Sequence, residues 1–406
     1  MRVSRENCLS RLLLPAGVIL ILLAGFSSAV LAQVNAVYVE SNIGQIPNKN
    51  SIYAFSNDGT GKLTLIKGSP FLTNGTGVFN SIPVNSPGFQ ADQEIVVNQA
   101  GNLLFAVNGD SNTITAFQIN ANGSLTLTNT APSNGQDPVS IGLDDNSPAG
   151  PQMTVVNQAA DPNQTGGTPN ITSFLVDETT GNLTPVANST IDYPAGSLPA
   201  QALVSPSGKF LFTVQFMGGG ALTSYQVGTG GLLNLNNSQI PARGPVFLGA
   251  AAHPKQRVVY VGMPAVNQFG VYSYNTAGLL ALAKVIVNPG VLVCWMTTNA
   301  AGTRLYTVES TSNSVTVYDV SGGNFLKPVQ LQHVTLMTGG NPANVKLDPT
   351  GAFLYVLGLN ETGTTGNFLH VLNVSSVDGT LTETLAPLKI PIHAGEVPQG
   401  LAVVMK

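Results

Sequence analysis

The chain has 406 residues, of which only 9% are charged, and its formal net charge is −4. This weakly acidic balance argues against nucleic acid or an anionic membrane surface as a partner. With 44 glycines and 26 prolines, short runs of Val, Ile, Thr, Phe and Tyr alternate with turn-forming residues, as is typical of an all-β protein.

The first 32 residues have the pattern of a signal peptide. Three arginines precede an apolar run over residues 12–30, and small residues stand before Gln33. We expect cleavage after Ala32 and a periplasmic or secreted mature protein of residues 33–406. The alternative is an uncleaved membrane anchor, because the run is nearly long enough to span a bilayer. Without the leader, 13 basic and 19 acidic residues remain, and Cys294 is the one cysteine, so no internal disulfide is expected.

After the leader, two sequence patterns recur in a fixed order. The first is a pair of apolar strands around a type I turn, as in residues 345–356 (VKLDPTGAFLYV). The second is a strand that ends in a Gly-x-Leu hairpin, as in residues 371–381 (VLNVSSVDGTL). The hairpin glycines recur every 45 to 62 residues, at Gly61, Gly123, Gly181, Gly231, Gly278, Gly323 and Gly379. Repeats of four strands at this period predict the blades of a β-propeller.

The two ends of the chain predict how the ring closes. Residues 36–40 (AVYVE) form a second strand that lacks a first, whereas residues 398–404 (PQGLAVV) form a first strand with nothing after it. We expect the C-terminal strand to complete the N-terminal blade, which removes an open sheet edge. Six complete units and one split unit predict an all-β, seven-bladed β-propeller of four-stranded antiparallel blades. It occupies residues 33–406 as a single domain.

Loop lengths predict which face of the ring carries function. The variable connections, such as residues 68–91 and 158–169, fall on the face where first strands begin and second strands end. Polar residues at these strand ends are predicted to line a funnel for a polyhydroxylated ligand, with one indole for stacking. The candidate catalytic bases are Glu94, Glu40 and Glu309, and the candidate ligand-binding residues are Gln201, Trp295, Asn344, Asn108 and Gln215. The alternative is that they are solvated strand ends, with Trp295 and Cys294 filling the channel.

No cofactor is predicted from the residues. The four histidines are isolated and none has metal-ligand spacing to another, so we predict no metal site. The expected partner is a small polyhydroxylated ligand or an extracytoplasmic protein, and we expect a monomer that does not stay inserted in a membrane after cleavage.

The repeats resemble those of the seven-bladed lactonase propellers, the family that includes bacterial 6-phosphogluconolactonase and a muconate-cyclising enzyme. The resemblance rests on residues 199–212 (PAQALVSPSGKFLF), residues 342–356 (PANVKLDPTGAFLYV) and hairpins such as residues 275–279 (NTAGL), and it covers the mature chain. It implies a lactonase fold and lactone hydrolysis. Where active members carry Arg, His and Glu, this chain has Ala200, Gln201 and Phe216.

Two functions from different classes follow from these observations. One is an exported lactonase-like hydrolase with a remodelled site, which acts on a neutral sugar lactone or similar ester and uses a glutamate as the base. The other is a non-catalytic module that binds a carbohydrate, a peptide or an envelope protein. Two carboxylates and an amide converging in a closed pocket would favour hydrolysis, whereas a wide hydrated channel would favour binding.

Overall fold

The computed structural model describes residues 35–79, 91–147, 150–359, 366–392 and 396–406. Its strands form seven separate antiparallel sheets. The predicted seven-bladed β-propeller is therefore confirmed. Val34–Lys406 forms one compact unit by its internal contacts. The predicted signal peptide lies outside the described residues.

The strands are numbered in chain order. Blade 1 contains β1 (Asn35–Glu40), β2 (Ser51–Asn57), β3 (Leu63–Leu65) and β4 (Phe71–Leu72); blade 2 contains β5 (Ile95–Val97), β6 (Leu103–Asn108), β7 (Thr113–Ile119) and β8 (Leu125–Pro132); blade 3 contains β9 (Pro138–Asp144), β10 (Gln152–Asn157), β11 (Asn170–Val176), β12 (Leu183–Pro185) and β13 (Ile191–Asp192). Blade 4 contains β14 (Pro199–Val204), β15 (Phe210–Gln215), β16 (Ala221–Val227) and β17 (Leu233–Gln239); blade 5 contains β18 (Leu248–Ala252), β19 (Val258–Met263), β20 (Gln268–Tyr274) and β21 (Leu280–Val287). Blade 6 contains β22 (Val293–Thr298), β23 (Arg304–Glu309), β24 (Ser314–Asp319) and β25 (Val329–Thr335); blade 7 contains β26 (Asn341–Leu347), β27 (Phe353–Leu359), β28 (Phe368–Val374), β29 (Leu381–Thr382) and β30 (Leu388–Lys389). The last strand, β31 (Gln399–Met405), joins blade 1.

The C-terminal strand closes the ring as predicted. β31 pairs antiparallel with β1, so that Ala36 lies opposite Val404 and Tyr38 lies opposite Ala402. β31 also contacts β5 and β26, the first strands of the two neighbouring blades. The first strands thus form a continuous inner ring around the central channel, and pairing leaves β1 without a free edge.

The hairpin glycines are explained by backbone conformation, with one exception. Six of the seven have a positive φ, which costs glycine no steric energy. In blade 6 the predicted Gly323 hairpin is instead a 3₁₀ helix, Gly322–Leu326, and Gly322 has the positive φ of 53°. Along the described parts of the chain, no helix is long and apolar enough to cross a membrane.

Buried tyrosines tie neighbouring blades together. The Tyr38 hydroxyl in blade 1 donates to the Gly123 carbonyl in blade 2, at 2.9 Å. The Tyr306 hydroxyl in blade 6 donates in the same way to the Gly379 carbonyl in blade 7, at 3.1 Å. Each bond satisfies a buried hydroxyl with the hairpin turn of the next blade. The recurring second strand and hairpin patterns of the sequence therefore meet in space.

Irregular backbone marks the start of the first strands. The pairing register shifts there in six blades, as between Pro199 and Gln201 in β14 and between Val293 and Trp295 in β22. Such β-bulges re-aim the side chains that follow them. The inner strands also pack very closely, because a Cβ at Gly249 would lie 1.9 Å from the Cys294 carbonyl oxygen. The predicted site residues Gln201, Trp295 and Asn344 therefore lie at these irregular starts of the first strands.

Candidate functional site

A short segment, residues 91–94, crosses the channel just before β5, and we call it the crossing segment. The Asp92 N–H donates to the Ala200 carbonyl of blade 4 at 3.2 Å. The Trp295 indole N–H of blade 6 donates to the Ala91 carbonyl at 2.9 Å. Because the segment contacts the first strands of blades 4 and 6 and then enters blade 2, it occupies the channel at this level.

Two amides from opposite blades hold the Asp92 carboxylate in the channel. Gln201 Nε2 lies 3.4 Å from Asp92 Oδ2, and Asn344 Nδ2 lies 3.3 Å from Asp92 Oδ1. Asn344 Nδ2 also lies 3.5 Å from Glu94 Oε2. The Gln201 amide makes two further bonds to blade 5, to the Ala250 carbonyl at 3.0 Å and from the Ala250 N–H at 2.7 Å. These amides therefore connect the blades through the crossing segment.

The structure brings four predicted site residues together, but they meet at the crossing segment of the protein and not around an open funnel. Glu94, Gln201, Trp295 and Asn344 are all buried, with Gln201 only 1% exposed. The side-chain N–H groups of Gln201, Trp295 and Asn344, which were expected to face a ligand, donate to the crossing segment. These residues are thus not solvated strand ends, and their role in ligand binding stays a prediction.

The other predicted residues occupy different surroundings. Asn108 is buried and accepts hydrogen bonds from Asn50 at 3.0 Å and from Thr73 at 2.6 Å. The Gln215 amide donates to the nearby Met217 carbonyl. Both oxygens of Glu309 accept hydrogen bonds, as described below. None of the three lines the cavity that follows.

A small cavity between blades 1, 2 and 3 collects buried carboxyl groups. Glu40, Glu94 and Asp137 line it, together with Gln399 of the C-terminal strand. Each carboxyl group has one oxygen with no hydrogen-bond partner among the described residues, and Gln399 Nε2 likewise lacks an acceptor there. The space in which the centre of a water molecule fits is about 10 Å³. This is about the room that one water molecule needs. We call this space, with the four residues named above, the carboxyl cavity.

The second oxygens of these carboxyl groups are held by the protein. Glu40 Oε1 accepts from Asn50 Nδ2 at 2.6 Å. Asp137 Oδ2 accepts from the Ala160 N–H at 3.1 Å. Each of these two side chains is therefore fixed through one oxygen, while its other oxygen has no partner among the described residues.

Burial raises the pKa of each carboxyl group in the carboxyl cavity. Removal from water raises the pKa of Asp137 to about 7, and the charges of Asp161 and Asp110 add to the rise. Burial also raises the pKa of Glu94, with a further contribution from the Asp92 charge. The pKa of Glu40 is raised well above its usual range by burial and by the Glu94 charge, against the hydrogen bond from Asn50. The cavity thus holds carboxyl groups that can carry or release a proton near neutral pH.

A more open pocket of about 450 Å³ continues from the same loops. It is lined by Gly44, Gln45, Phe79, Asp110 and Asn163, and two of these residues directly follow residues that line the carboxyl cavity, Val78 and Gly109. Burial and the neighbouring Asp161 raise the pKa of Asp110. No Lys or Arg of the described chain lines the pocket or the cavity. The arrangement suits a neutral ligand better than an anion.

Sequence analysis missed two acidic residues that the structure places at the centre. Asp92 joins Gln201 to Asn344, and Asp137 lines the carboxyl cavity. Both stand within two or three residues of the start of a first strand, as does the predicted Glu94. The signal in the sequence that could have indicated them is an acidic residue one to three positions before a first strand.

The comparisons with known proteins decide the family. The sequence model described as "Lactonase, 7-bladed beta-propeller" matches residues 49–199 and 155–387, which is most of the chain. The chain belongs to this lactonase family. Among curated protein sequences, none matches it.

Solved structures show the same lactonase propeller fold. A putative 6-phosphogluconolactonase from Bacteroides fragilis is 16% identical, with a TM-score of 0.66, and the match covers 91% of this chain and 98% of that one. The periplasmic gluconolactonase PpgL of Pseudomonas aeruginosa is 15% identical, with a TM-score of 0.70, and the match covers 92% and 99%. At these identities the similarity shows the fold alone.

The positions that carry Arg, His and Glu in the expected lactonase pattern are structural here. Ala200 is fully buried and its carbonyl holds the crossing segment. The Gln201 amide binds the backbone of Ala250 with both its ends. Phe216 is partly buried and packs against a hydrophobic cluster.

Proposed function

We propose that this lactonase propeller hydrolyses an uncharged sugar lactone or a similar ester at the carboxyl cavity, on the face of the variable loops. The observation that carries the proposal is the set of three buried carboxyl oxygens, from Glu40, Glu94 and Asp137, that have no hydrogen-bond partner among the described residues and belong to side chains lining a space with room for one water molecule. General acid–base catalysis needs groups whose pKa lies near the working pH, and burial provides this here.

In the proposed reaction the substrate occupies the open pocket and water occupies the carboxyl cavity. An ionised carboxylate takes a proton from the water as its oxygen bonds to the lactone carbonyl carbon. A neutral carboxyl group then gives a proton to the ring oxygen as the carbon–oxygen bond breaks. The unpartnered Gln399 amide is placed to donate to the oxyanion that forms in between. One water is consumed, and a hydroxy acid is released.

The charge of the site supports a neutral substrate. Neither the carboxyl cavity nor the open pocket has a Lys or Arg among its described lining residues. A phosphate or carboxylate on the substrate would face Asp110 in the open pocket, with no Lys or Arg among the described lining residues to offset the repulsion. We therefore propose that neutral lactones are hydrolysed in preference to phosphorylated ones.

The test is lactone hydrolysis by the mature protein, followed by proton release, with glucono-lactone, galactono-lactone and 6-phosphogluconolactone as substrates. Glu94→Gln and Asp137→Asn should each lower kcat by at least about a hundredfold. Glu309→Gln is the matched control, because it changes a buried carboxyl group outside the cavity. If the wild type gave no rate above the uncatalysed reaction, or if Glu309→Gln lost as much activity as Glu94→Gln, the proposal would be wrong.

The residues Ala200, Gln201 and Phe216, which stand where the resemblance leads us to expect Arg, His and Glu, favour a second function, a non-catalytic binding module for a carbohydrate, a peptide or an envelope protein. The crossing segment occupies the place where the predicted funnel would open, so we place the ligand of this module in the open pocket on the same face. A wild type that hydrolyses no lactone but gains thermal stability with a saccharide would support this alternative.

We also propose that the protein is exported as a monomer. The arginines, the apolar run and the small residues before Gln33 support this. Fractionation of cells that express the full chain, with N-terminal sequencing of the product, tests export. A cytoplasmic product that still starts at Met1 would contradict it.

A further inference from the structure

Grooves between neighbouring blades open on the face opposite to the carboxyl cavity, where first and second strands are joined by tight turns. One groove lies between blades 4 and 5, has a volume of about 340 Å³, and includes Lys209 and Arg257 in its lining. A related groove of about 400 Å³ lies between blades 6 and 7 and includes Arg304. Lys209, Arg257 and Arg304 each stand at or just before the first residue of a second strand. Grooves of this kind thus arise from the propeller fold itself, whereas the charge of each groove depends on the residues that line it.

The groove between blades 4 and 5 is positively charged, and we call it the cationic groove. Lys209, Lys255 and Arg257 line it, and no Asp or Glu is among its described lining residues. The mature chain has only 13 basic residues and a net charge of −6. A cluster of three cations is therefore a marked local departure from the charge of the whole protein.

The cations of this groove are available to a ligand, unlike the arginine of the related groove. Lys209, Lys255 and Arg257 are exposed. Across the described ranges their side chains form no ion pair. In the groove between blades 6 and 7, Arg304 instead pairs with Asp319 at 3.0 Å and donates to the Asp378 carbonyl.

The backbone around Lys255 is held in place for this role. His253 is buried, and its Nδ1 accepts from the Lys255 N–H at 3.1 Å and from the Gln256 N–H at 3.0 Å. The turn therefore has a fixed shape, although the lysine side chain itself is exposed. Beneath the cations, Phe210 and Tyr274 form a rigid floor, with ring centroids 5.7 Å apart in an edge contact.

We propose that the cationic groove is a binding site for a tetrahedral oxyanion, a phosphate or a sulfate group, either free or carried on a larger molecule. Three cations without a carboxylate match a group of charge −2 better than a single carboxylate, and an Arg guanidinium binds such oxygens with two parallel hydrogen bonds. The hydroxyl groups of Ser207 and Thr276, which also line the groove, can donate to the remaining oxygens.

The experiment is titration calorimetry of the mature protein at low ionic strength with inorganic phosphate, inorganic sulfate, dextran sulfate and uncharged dextran. We expect saturable binding of at least one oxyanion probe and none of uncharged dextran. Binding of the free ions identifies a site for the ion itself, whereas binding of dextran sulfate alone identifies a site for a carried group. No saturable binding of any oxyanion probe would overturn the proposal.

Matched variants separate the groove from the charge of the whole protein. The triple variant Lys209→Gln, Lys255→Gln and Arg257→Gln should lower the affinity by at least about tenfold. The control Lys62→Gln, Lys67→Gln and Lys284→Gln removes the same charge from exposed positions outside both grooves and should stay within about twofold of the wild type. The single variant Arg257→Gln, which removes the guanidinium group, should lower the affinity by itself. Equal losses in the groove and control variants would refute a local site.

Discussion

Replacing Asp137 with asparagine should stabilise this lactonase propeller at high pH and leave it nearly unchanged at low pH. Asp137 is fully buried; its Oδ2 accepts from the Ala160 N–H, and its Oδ1 has no hydrogen-bond partner among the described residues. In Asp137→Asn the side-chain carbonyl keeps this bond and the amide takes the position of the unpartnered oxygen. The backbone φ of 56° at this position is one that Asn adopts readily. The substitution therefore removes a buried charge with little change of shape.

The size of the effect follows from the pKa of Asp137, which burial raises from 3.8 to about 7. Below the lower value the carboxyl group is neutral in both the folded and the unfolded chain. As pH rises between the two values, the unfolded chain releases the proton and the folded chain keeps it, so the stability of the wild type falls. Above the higher value the loss is complete, at most about 4 kcal/mol for this difference in pKa.

Urea unfolding at about pH 4.5 and at about pH 8.5 measures this difference. Asp137→Asn should unfold at nearly the wild-type urea concentration at the lower pH and at a clearly higher one at the upper pH. Asp192→Asn, which removes a charge from an exposed position, is the control. The reasoning is refuted if the stability difference between Asp137→Asn and wild type does not grow with pH.

Other predictions concern closure and packing of the ring. Deletion of residues 398–406 exposes the edge of β1 and should cause aggregation in size-exclusion chromatography, and a monomer with normal melting would contradict this. Trp295→Phe loses the hydrogen bond to Ala91 and should lower the free energy of unfolding by about 1 kcal/mol in urea. Tyr306→Phe loses its bond to the next blade and should cost about as much, about 1 kcal/mol, in the same assay. The buried Cys294 thiol should react with Ellman's reagent only after unfolding in guanidinium, and rapid reaction in the native state would show that the inner strand opens.

The fold could be predicted because its signals are local and repeated. Turn residues such as those around Gly351 and hairpin glycines such as Gly123 have the backbone angles that their sequence pattern indicates. The missing first strand at one end and the extra one at the other were sufficient to predict how the ring closes. Gly323 shows the limit of a single-residue signal, because the neighbouring Gly322 adopts the left-handed conformation and a 3₁₀ helix replaces the hairpin.

The candidate site was less predictable because its contacts join distant parts of the chain. Asp92 meets Asn344, which is 252 residues away, and Gln201, which is 109 residues away. No local pattern in residues 91–94 indicates that this segment crosses the channel. The strand-end positions of Gln201, Trp295 and Asn344 were correct as places in the fold, but the partner of each polar group depends on which segment fills the centre.

A comparison of Glu309 with Asp137 shows which physical property distinguishes a structural carboxyl group from a candidate catalytic one. Burial raises the pKa of both to about 7, so the pKa does not separate them. Glu309 Oε1 accepts from Thr307 and Asn288, and its Oε2 accepts from Ser314, so both of its oxygens have hydrogen-bond partners within the protein. Asp137, which lines the carboxyl cavity, instead has one oxygen without a partner among the described residues. Asp137 thus reduces stability above its pKa while one of its oxygens has no partner among the described residues, which is the property we expect of a carboxyl group in the proposed site.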